Sequence, residues 1–219
     1  MIQSESREMY LKSIYELEQD GEQVPVSSVA DRLGVTTVSA SEMIKRLAEQ
    51  GLVIHEPYKG VSLTETGCKR ALNVVRRQRL WGRFLEDQLN IPWEMVYDFA
   101  CRLEHATDET VTEALAEFLG HPQTCPHGHP IPDPDGTVRQ IPAVPLIEID
   151  LEQEVEILRI DRPEVALCMY LADRELRPGV KLKIIERAPY NGPLTIRVGE
   201  QEIALGREIA ARIFVTTFA

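Results

Sequence analysis

What this 219-residue sequence has little of narrows the field first. It has four cysteines, Cys68, Cys101, Cys125 and Cys168, scattered without a paired spacing. A disulfide scaffold is therefore excluded, and a reducing compartment fits. No stretch approaches the roughly eighteen apolar residues that read as a membrane span. The first residues lack the basic stretch followed by an apolar one that marks a secretory leader. A cytoplasmic protein is expected. Positive charge is also short, since the formal net charge is -11. A surface coated in cations is excluded, so any polyanion would have to be met by a local concentration of Lys and Arg. Residues 146–219 contain no histidine, and their acidic residues are scattered, so nothing there points to catalysis. What is present in quantity is apolar material, at 43%, enough for packed cores in a chain long enough for two domains.

The chain is organised around Cys101-Arg102-Leu103-Glu104-His105. Apolar periodicity from about Trp93 to Leu119 predicts one long amphipathic helix. On a helix, positions i, i+3 and i+4 share a face, so the Cys101 thiol, the Glu104 carboxylate and the His105 imidazole converge. Sulfur, oxygen and nitrogen donors together suit a divalent first-row transition metal. The plainer alternative is a half-buried helix face with a core cysteine and a surface ion pair.

Before this stretch, Met9, Tyr10, Ile14 and Leu17 predict a helix from Ser4 to about Gln19, with Glu5, Glu8, Lys12 and Glu16 between the apolar positions and Asp20-Gly21 as its stop. Ser27 is read as the cap of a short helix containing Val29, Ala30 and Leu33, and Thr36-Thr37 as the cap of a second helix to about Gln50. Gly34 supplies the turn between them, which is the arrangement of a helix-turn-helix. The second helix presents Val38, Ser39, Ser41, Glu42, Lys45 and Arg46 outward. Two β-rich runs around Glu56-Pro57-Tyr58-Lys59-Gly60 read as a hairpin wing, which makes the unit a winged helix. Ser27, Thr36, Thr37, Val38, Ser39, Ser41, Glu42, Lys45, Arg46 and Lys59 are the candidate DNA-facing residues.

Thr64-Glu65-Thr66-Gly67 caps a further helix running to about Gln88. Its Arg76, Arg77 and Arg79, with Arg83 beyond, form a basic cluster. It is either a solvated face or a compensation that lets an acidic protein approach phosphates. The many apolar residues of the Cys101 helix predict pairing with a second copy. Residues 120–145 hold seven of the fourteen prolines and no periodicity, so they read as a linker. Within it Cys125, His127 and His129 alternate, either as ligands for a second metal or as parts of a rigid connector. From Leu146 the chain turns β-rich, with five predicted strands and a short helix near Glu164–Ala172, suggesting a compact SH3-like barrel.

This order of parts resembles the diphtheria toxin repressor family of metal-dependent transcriptional regulators. The marks are Glu8-Met9-Tyr10-Leu11…Ile14-Tyr15-Glu16-Leu17-Glu18, Gly51-Leu52-Val53, Thr64-x-x-Gly67, Ala100-Cys101-Arg102-x-Glu104-His105 and Pro126-His127-Gly128…Pro130-Ile131-Pro132. The resemblance implies a mainly α N-terminal part, winged helix plus helical dimerisation domain, and a small all-β SH3-like, FeoA-like C-terminal domain. The expected boundaries are 1–75 for the winged helix, 76–122 for metal binding and dimerisation, 123–145 for the linker and 146–219 for the barrel. It implies a non-enzymatic homodimer that binds double-stranded operator DNA when loaded with metal, and no membrane or organic substrate as partner. The implied ligands are Met9, Cys101, Glu104 and His105. Their softness favours Fe(II), with Mn(II), Co(II), Ni(II) or Zn(II) as alternatives.

The sequence departs from the family at a second site. The ancillary ligands of iron-type members fall here on Gln78, Gly82 and Tyr97. Manganese-type members place a second site on positions matching Cys125 and His127, completed by an aspartate taken as Asp161, with His129 or His121 as substitutes; the carboxylate they draw from the linking helix again falls on Gly82. The base-contacting glutamine of the iron type is Glu42 here, which accepts hydrogen bonds but does not donate them. Two rival classes remain at this level: a winged-helix regulator with Cys101 as a thiol switch or an organic-ligand sensor, and a zinc hydrolase, which the absence of a general base disfavours.

Overall fold

The computed structural model describes residues 2–18, 22–57 and 59–217. The expected helix stop at Asp20-Gly21, and Tyr58 in the wing turn, lie outside the described residues. The chain divides into two units, one made of residues 1–77, 104–108 and 132–137 and the other of 78–103, 109–131 and 138–219.

In the first unit α1 (Ile2–Leu17), α2 (Val26–Leu33) and α3 (Thr37–Glu49) precede a hairpin of β1 (Val53–Glu56) and β2 (Gly60–Leu63), and α4 (Glu65–Asp87) begins. Pro25, with φ at -58°, sits at the N-cap of α2, so Ser27 lies inside the first turn and does not cap it, contrary to the sequence expectation. Proline is pre-set for a helix start and lacks the amide that a cap would have to satisfy. Thr36 does cap α3, its side chain accepting from the Ser39 amide. Leu11, Ile14, Val29, Ala30, Ala40, Ile44, Leu47, Leu52 and Val61 are all at most 2% exposed and form one core. The two small alanines let the helices cross closely, which completes the helix-turn-helix. β1 and β2 pair antiparallel from Val53↔Leu63 to Glu56↔Gly60, giving the wing.

Thr64 ties that wing to α4. Its hydroxyl accepts from the Gly67 amide at 3.0 Å and donates to the Gly51 carbonyl at 2.8 Å. A Cβ on Gly67 would lie 1.9 Å from the Leu52 carbonyl oxygen, so only glycine fits, and the Thr64-x-x-Gly67 pattern acquires a physical cause.

The second unit takes in the C-terminal part of α4, then α5 (Trp93–Leu103), α6 (Glu109–Phe118), β3 (Val144–Pro145), β4 (Glu154–Ile160), α7 (Val165–Ala172), β5 (Lys181–Arg187), β6 (Leu194–Val198), β7 (Gln201–Leu205), α8 (Arg207–Arg212) and β8 (Ile213–Thr217). Among the described residues these strands form an antiparallel sheet of six, in the order β3-β8-β4-β5-β6-β7. Five of them coincide with the predicted runs; the sixth, β3, is two residues long and carries no alternation to read. The sheet's core is Val155, Ile157, Ile184, Leu194, Ile196, Leu205, Ile213 and Val215, closed by Leu167, Cys168 and Leu171 of α7.

The single helix expected from Trp93 to Leu119 is broken. It stops at Leu103, Glu104–Ala106 form one 3-10 turn, and α6 restarts at Glu109. Arg77 Nη1 donates to the Thr107 carbonyl at 2.7 Å. That contact gives the carbonyl a partner outside any helix. β-branched Thr107 followed by Asp108 favours such a break.

Candidate metal centre

Five of the residues that matter come from α1, α4 and the 3-10 turn of the first unit. Glu8 and Lys12 stand one turn apart on α1. Glu104 is fully buried, and the His105 side chain is 8% exposed. His105 Nδ1 lies 2.8 Å from Glu8 Oε2. An ionised carboxylate only accepts, so Nδ1 carries the proton, and in the neutral form of the ring Nε2 keeps its lone pair. That Nε2 is buried without a hydrogen-bond partner, 3.2 Å from Glu104 Oε1. A lone pair facing a carboxylate oxygen at that distance is repulsive unless positive charge is close to both. The carboxylate that steadies the outer nitrogen is the support a ligating histidine normally has.

Glu8 is held by two groups. Arg77 Nη2 donates to its Oε1 at 2.9 Å, while Oε2 faces His105. Burial works against its charge, but the His105 and Arg77 contacts outweigh it, and the carboxyl titrates below its ordinary range. Glu104 goes the other way. Burial pushes its carboxyl up, and the Lys12 ammonium pulls it back only in part. Lys12 is 2% exposed, and its Nζ donates to Glu104 at 2.9 Å (Oε1) and 2.7 Å (Oε2). Apolar periodicity does not reveal this burial, because its partner is 92 positions away.

Of the remaining predicted ligands, Met9 is half-buried on α1. Cys101 is half-buried on α5 in the second unit, where Gln78 Nε2 donates to its Sγ at 3.4 Å. Among the described residues no three His, Cys, Asp or Glu side chains already form a metal cage. The donor chemistry nevertheless fits a divalent ion on one structural ground, the buried and unpartnered His105 Nε2 beside Glu104.

The second predicted group lies within the second unit. The Cys125 thiol is buried, and burial pushes it up, which opposes the thiolate a metal needs. His127 is 2% exposed, its ring stacked on Trp93 at 4.8 Å between centroids, and its Nε2 has no hydrogen-bond partner. Burial pushes it down to about 4. His129 is committed, its Nε2 donating to the Ile160 carbonyl at 2.8 Å. Asp161 is half-buried, its amide donating to the Arg212 carbonyl at 2.8 Å. At Gly82, where a carboxylate would complete such a site, a Cβ would meet the Pro126 ring at 3.3 Å. A cavity of about 380 Å³ beside Cys125 is lined by Arg83 and Arg177 together with Glu86 and Glu156. Gly128 has φ at +86°, and a Cβ there would lie 1.9 Å from the Leu158 carbonyl oxygen. This glycine lets the segment lie against β4, where the Ile160 amide donates to the His127 carbonyl at 2.9 Å.

On the helix-turn-helix, Ser27, Thr36, Thr37, Val38, Ser39, Glu42, Lys45 and Arg46 are exposed, as is Lys59 on the wing, and Ser41 is half-buried. Val38 is 70% exposed, high for an apolar residue. Lys59 is paired with Glu56 at 2.6 Å. The basic cluster of α4 is not a phosphate-facing stripe. Arg76 donates to the Pro132 carbonyl, Arg77 to Glu8 and Thr107, and Arg79 to the Pro130 carbonyl. These arginines serve as internal braces.

Residues 3–61 match the family described as iron dependent repressor, N-terminal DNA binding domain. Residues 64–133 match iron dependent repressor, metal binding and dimerisation domain. Residues 144–217 match the FeoA domain. The iron-dependent repressor IdeR of Mycobacterium tuberculosis is 30% identical over 226 residues, covering 96% of each chain. The diphtheria toxin repressor of Corynebacterium diphtheriae is 29% identical, over 95% of this chain and 96% of that one. Among solved structures, a manganese-dependent transcriptional repressor complex with manganese superposes with a TM-score of 0.89 at 34% identity, covering 97% of this chain and 100% of the other.

Proposed function

We propose a function from one premise: this chain belongs to the diphtheria toxin repressor family of metal-dependent repressors. It carries a DNA-binding domain, a metal-binding and dimerisation domain and a FeoA domain, and it is not an enzyme. Beyond that, the reading is of a cytoplasmic homodimer that represses metal-homeostasis genes when loaded with a divalent ion. The ligands are Met9, Glu104 and His105, with Cys101, three residues before Glu104 along the chain, as the fourth. The observation that carries this assignment is the His105 ring, with Nδ1 fixed by Glu8 and the buried Nε2 left with its lone pair beside Glu104.

Met9, Cys101, Glu104 and His105 would hold the ion, which when bound would supply a fixed positive charge to balance the Glu104 carboxylate. The chain's own part is positional. Glu8 holds the His105 tautomer, Arg77 holds Glu8, and the 3-10 turn presents Glu104 and His105 side by side. Met9 belongs to α1, which packs against α2 and α3, so a ligand role for Met9 would couple the metal site to α3. Metal and DNA then raise each other's affinity by the same factor. The thiol and thioether favour Fe(II), with Co(II) and Ni(II) as substitutes. A manganese reading is favoured by the likeness to the manganese-dependent repressor. Residues 1–75 form the DNA-binding domain, 76–122 the metal and dimer domain, 123–145 the linker and 146–219 the FeoA-type domain. Leu89, Met95, Val111 and Phe118 are exposed apolar residues around α5 and α6, suited to the dimer contact.

The test is DNA binding by fluorescence anisotropy, on a site selected from a random pool, against Fe(II), Mn(II), Co(II), Ni(II) and Zn(II) with and without chelator. Metal should be required, and His105→Ala should abolish the requirement together with tight binding. Unchanged metal dependence in His105→Ala overturns the assignment.

A further inference from the structure

Among the described residues around this site, Lys12 is a charged group for which metal binding has no use. It is 2% exposed, its partner Glu104 is 0% exposed, and Nζ reaches both carboxylate oxygens at 2.7 and 2.9 Å. A lysine held this way is not a solvated surface bridge. Two ions taken out of water lose hydration worth several kcal/mol each, and only close pairing offsets that. The ammonium therefore has a strong hold on this carboxylate.

The same carboxylate is a proposed ligand, and its Oε1 is also the atom 3.2 Å from His105 Nε2. Two positive charges cannot both have full use of it. A carboxylate already matched by an ammonium is a weaker donor, and the ammonium repels an incoming dication across a few ångströms of poorly screening interior. The other carboxylates nearby do not change this, because Glu8 is balanced by Arg77 at 2.9 Å and Glu16 is paired with Arg32.

We propose that Lys12 is a tethered cation that competes with the regulatory metal for Glu104 and so sets the metal concentration at which the protein responds. The inference rests on the metal-site reading above. In the metal-free protein the ammonium sits on Glu104, and binding requires it to give up at least one of its two oxygens. Affinity is reduced by the cost of that displacement, because only the fraction of molecules with Glu104 released is competent.

The experiment uses the full chain and follows Co(II) binding by its visible absorption and by calorimetry, with thermal melts of the metal-free and Co(II)-loaded protein. Lys12→Met removes the competitor. It should bind Co(II) about tenfold more tightly or better than wild type, melt lower than wild type without metal, and gain more on loading. Lys12→Gln, which keeps a hydrogen bond to Glu104 without the charge, should tighten binding in the same direction and guards against a misfolded Lys12→Met. Lys12→Arg keeps the charge and should stay near wild type. Equal or weaker Co(II) binding by folded Lys12→Met or Lys12→Gln overturns the proposal. His105→Ala separates this failure from that of the underlying site. If His105→Ala loses Co(II) while the Lys12 variants do not gain, only the competition is wrong. If His105→Ala binds Co(II) as wild type does, the site and the competition both fall.

Discussion

Two buried histidines in this chain each leave Nε2 without a hydrogen-bond partner, and their surroundings could hardly differ more. His105 is set among ions: Glu8 on Nδ1, Glu104 at 3.2 Å from Nε2, and Lys12 and Arg77 on those carboxylates. His127 is set among rings and backbone, stacked on Trp93 at 4.8 Å and edge-on to Tyr97 at 6.4 Å. Both present a lone pair, but only the first presents it beside a negative charge. A metal needs the donor and the charge together, since a neutral nitrogen alone does not repay a dication's lost hydration. The comparison teaches that a buried unpartnered nitrogen becomes a cation site through its second neighbours. Around His127 the same orphan atom reads as the tolerated cost of packing a ring.

The sharpest break of that comparison is Glu104→Ala. It leaves Lys12 buried without this carboxylate and should cost about 3–5 kcal/mol, the typical price of a broken buried pair. Urea unfolding in chelator would measure it. Lys12→Met/Glu104→Met replaces both ions with apolar side chains and should recover most of the loss, to within about 1–2 kcal/mol of wild type. A Glu104→Ala protein as stable as wild type would mean that the pair has no hold on the fold.

Much of this architecture could be read from the residues. The helix-turn-helix follows from small and apolar residues at Ala30, Ala40, Ile44 and Leu47 with Thr36 as cap, and the wing follows from its turn residues. Alternation located β4 to β8. Helical spacing named Cys101, Glu104 and His105, and the family resemblance added Met9. What stayed hidden depended on partners far away in sequence. Lys12 lies between apolar positions of α1 and looks like a solvated face; only its contact with Glu104 shows otherwise. Glu8 was part of a motif whose role in orienting His105 is a contact across 97 positions. Arg76, Arg77 and Arg79 looked like a basic stripe, but their carbonyl and carboxylate partners bend them inward. The break after Leu103 was masked by apolar residues that keep helical spacing across Thr107-Asp108. One local signal was available, the Glu8-Lys12-Glu16 ladder at i, i+4 beside Met9, which hints that α1 has a charged face with work to do.

Acid should attack the second region before the first. Burial holds His127 down to about 4 and His129 to about 3, from an ordinary 6.5. A ring that titrates lower in the fold than in the unfolded chain leaves stability intact above 6.5. As pH falls below that, the unfolded chain takes up protons first, and stability drains until the folded value is reached. His127 alone should remove about 3 kcal/mol between pH 6.5 and 4, at about 1.4 kcal/mol per unit. Glu8, held below its ordinary range, adds to the loss only below 4.5. Denaturant unfolding in chelator across pH 7 to 4.5, compared between wild type and His127→Phe, would isolate the His127 part from the buried carboxyls, and equal slopes would contradict it.

The smallest expected effect tests the comparison most directly. His127→Phe keeps a flat ring of similar size against Trp93 and removes the orphaned nitrogen. Trp93 is itself anchored by Nε1 donating to the Pro126 carbonyl at 3.0 Å, so the stacking partner stays in place. Losing an unsatisfied polar atom is favourable by about 1 kcal/mol, and losing the ring's hydrogen bond to the Trp93 backbone takes back a similar amount. Stability at pH 7 should therefore stay within about 1 kcal/mol of wild type, and the slope between pH 6.5 and 4.5 should become shallower. Metal-dependent DNA binding should keep its wild-type midpoint, whereas His105→Ala loses it. A His127→Phe protein that needs more metal would show that aromatic surroundings do not disqualify this nitrogen as a ligand, and that Cys125 and His127 contribute to a metal site despite the glycine at 82.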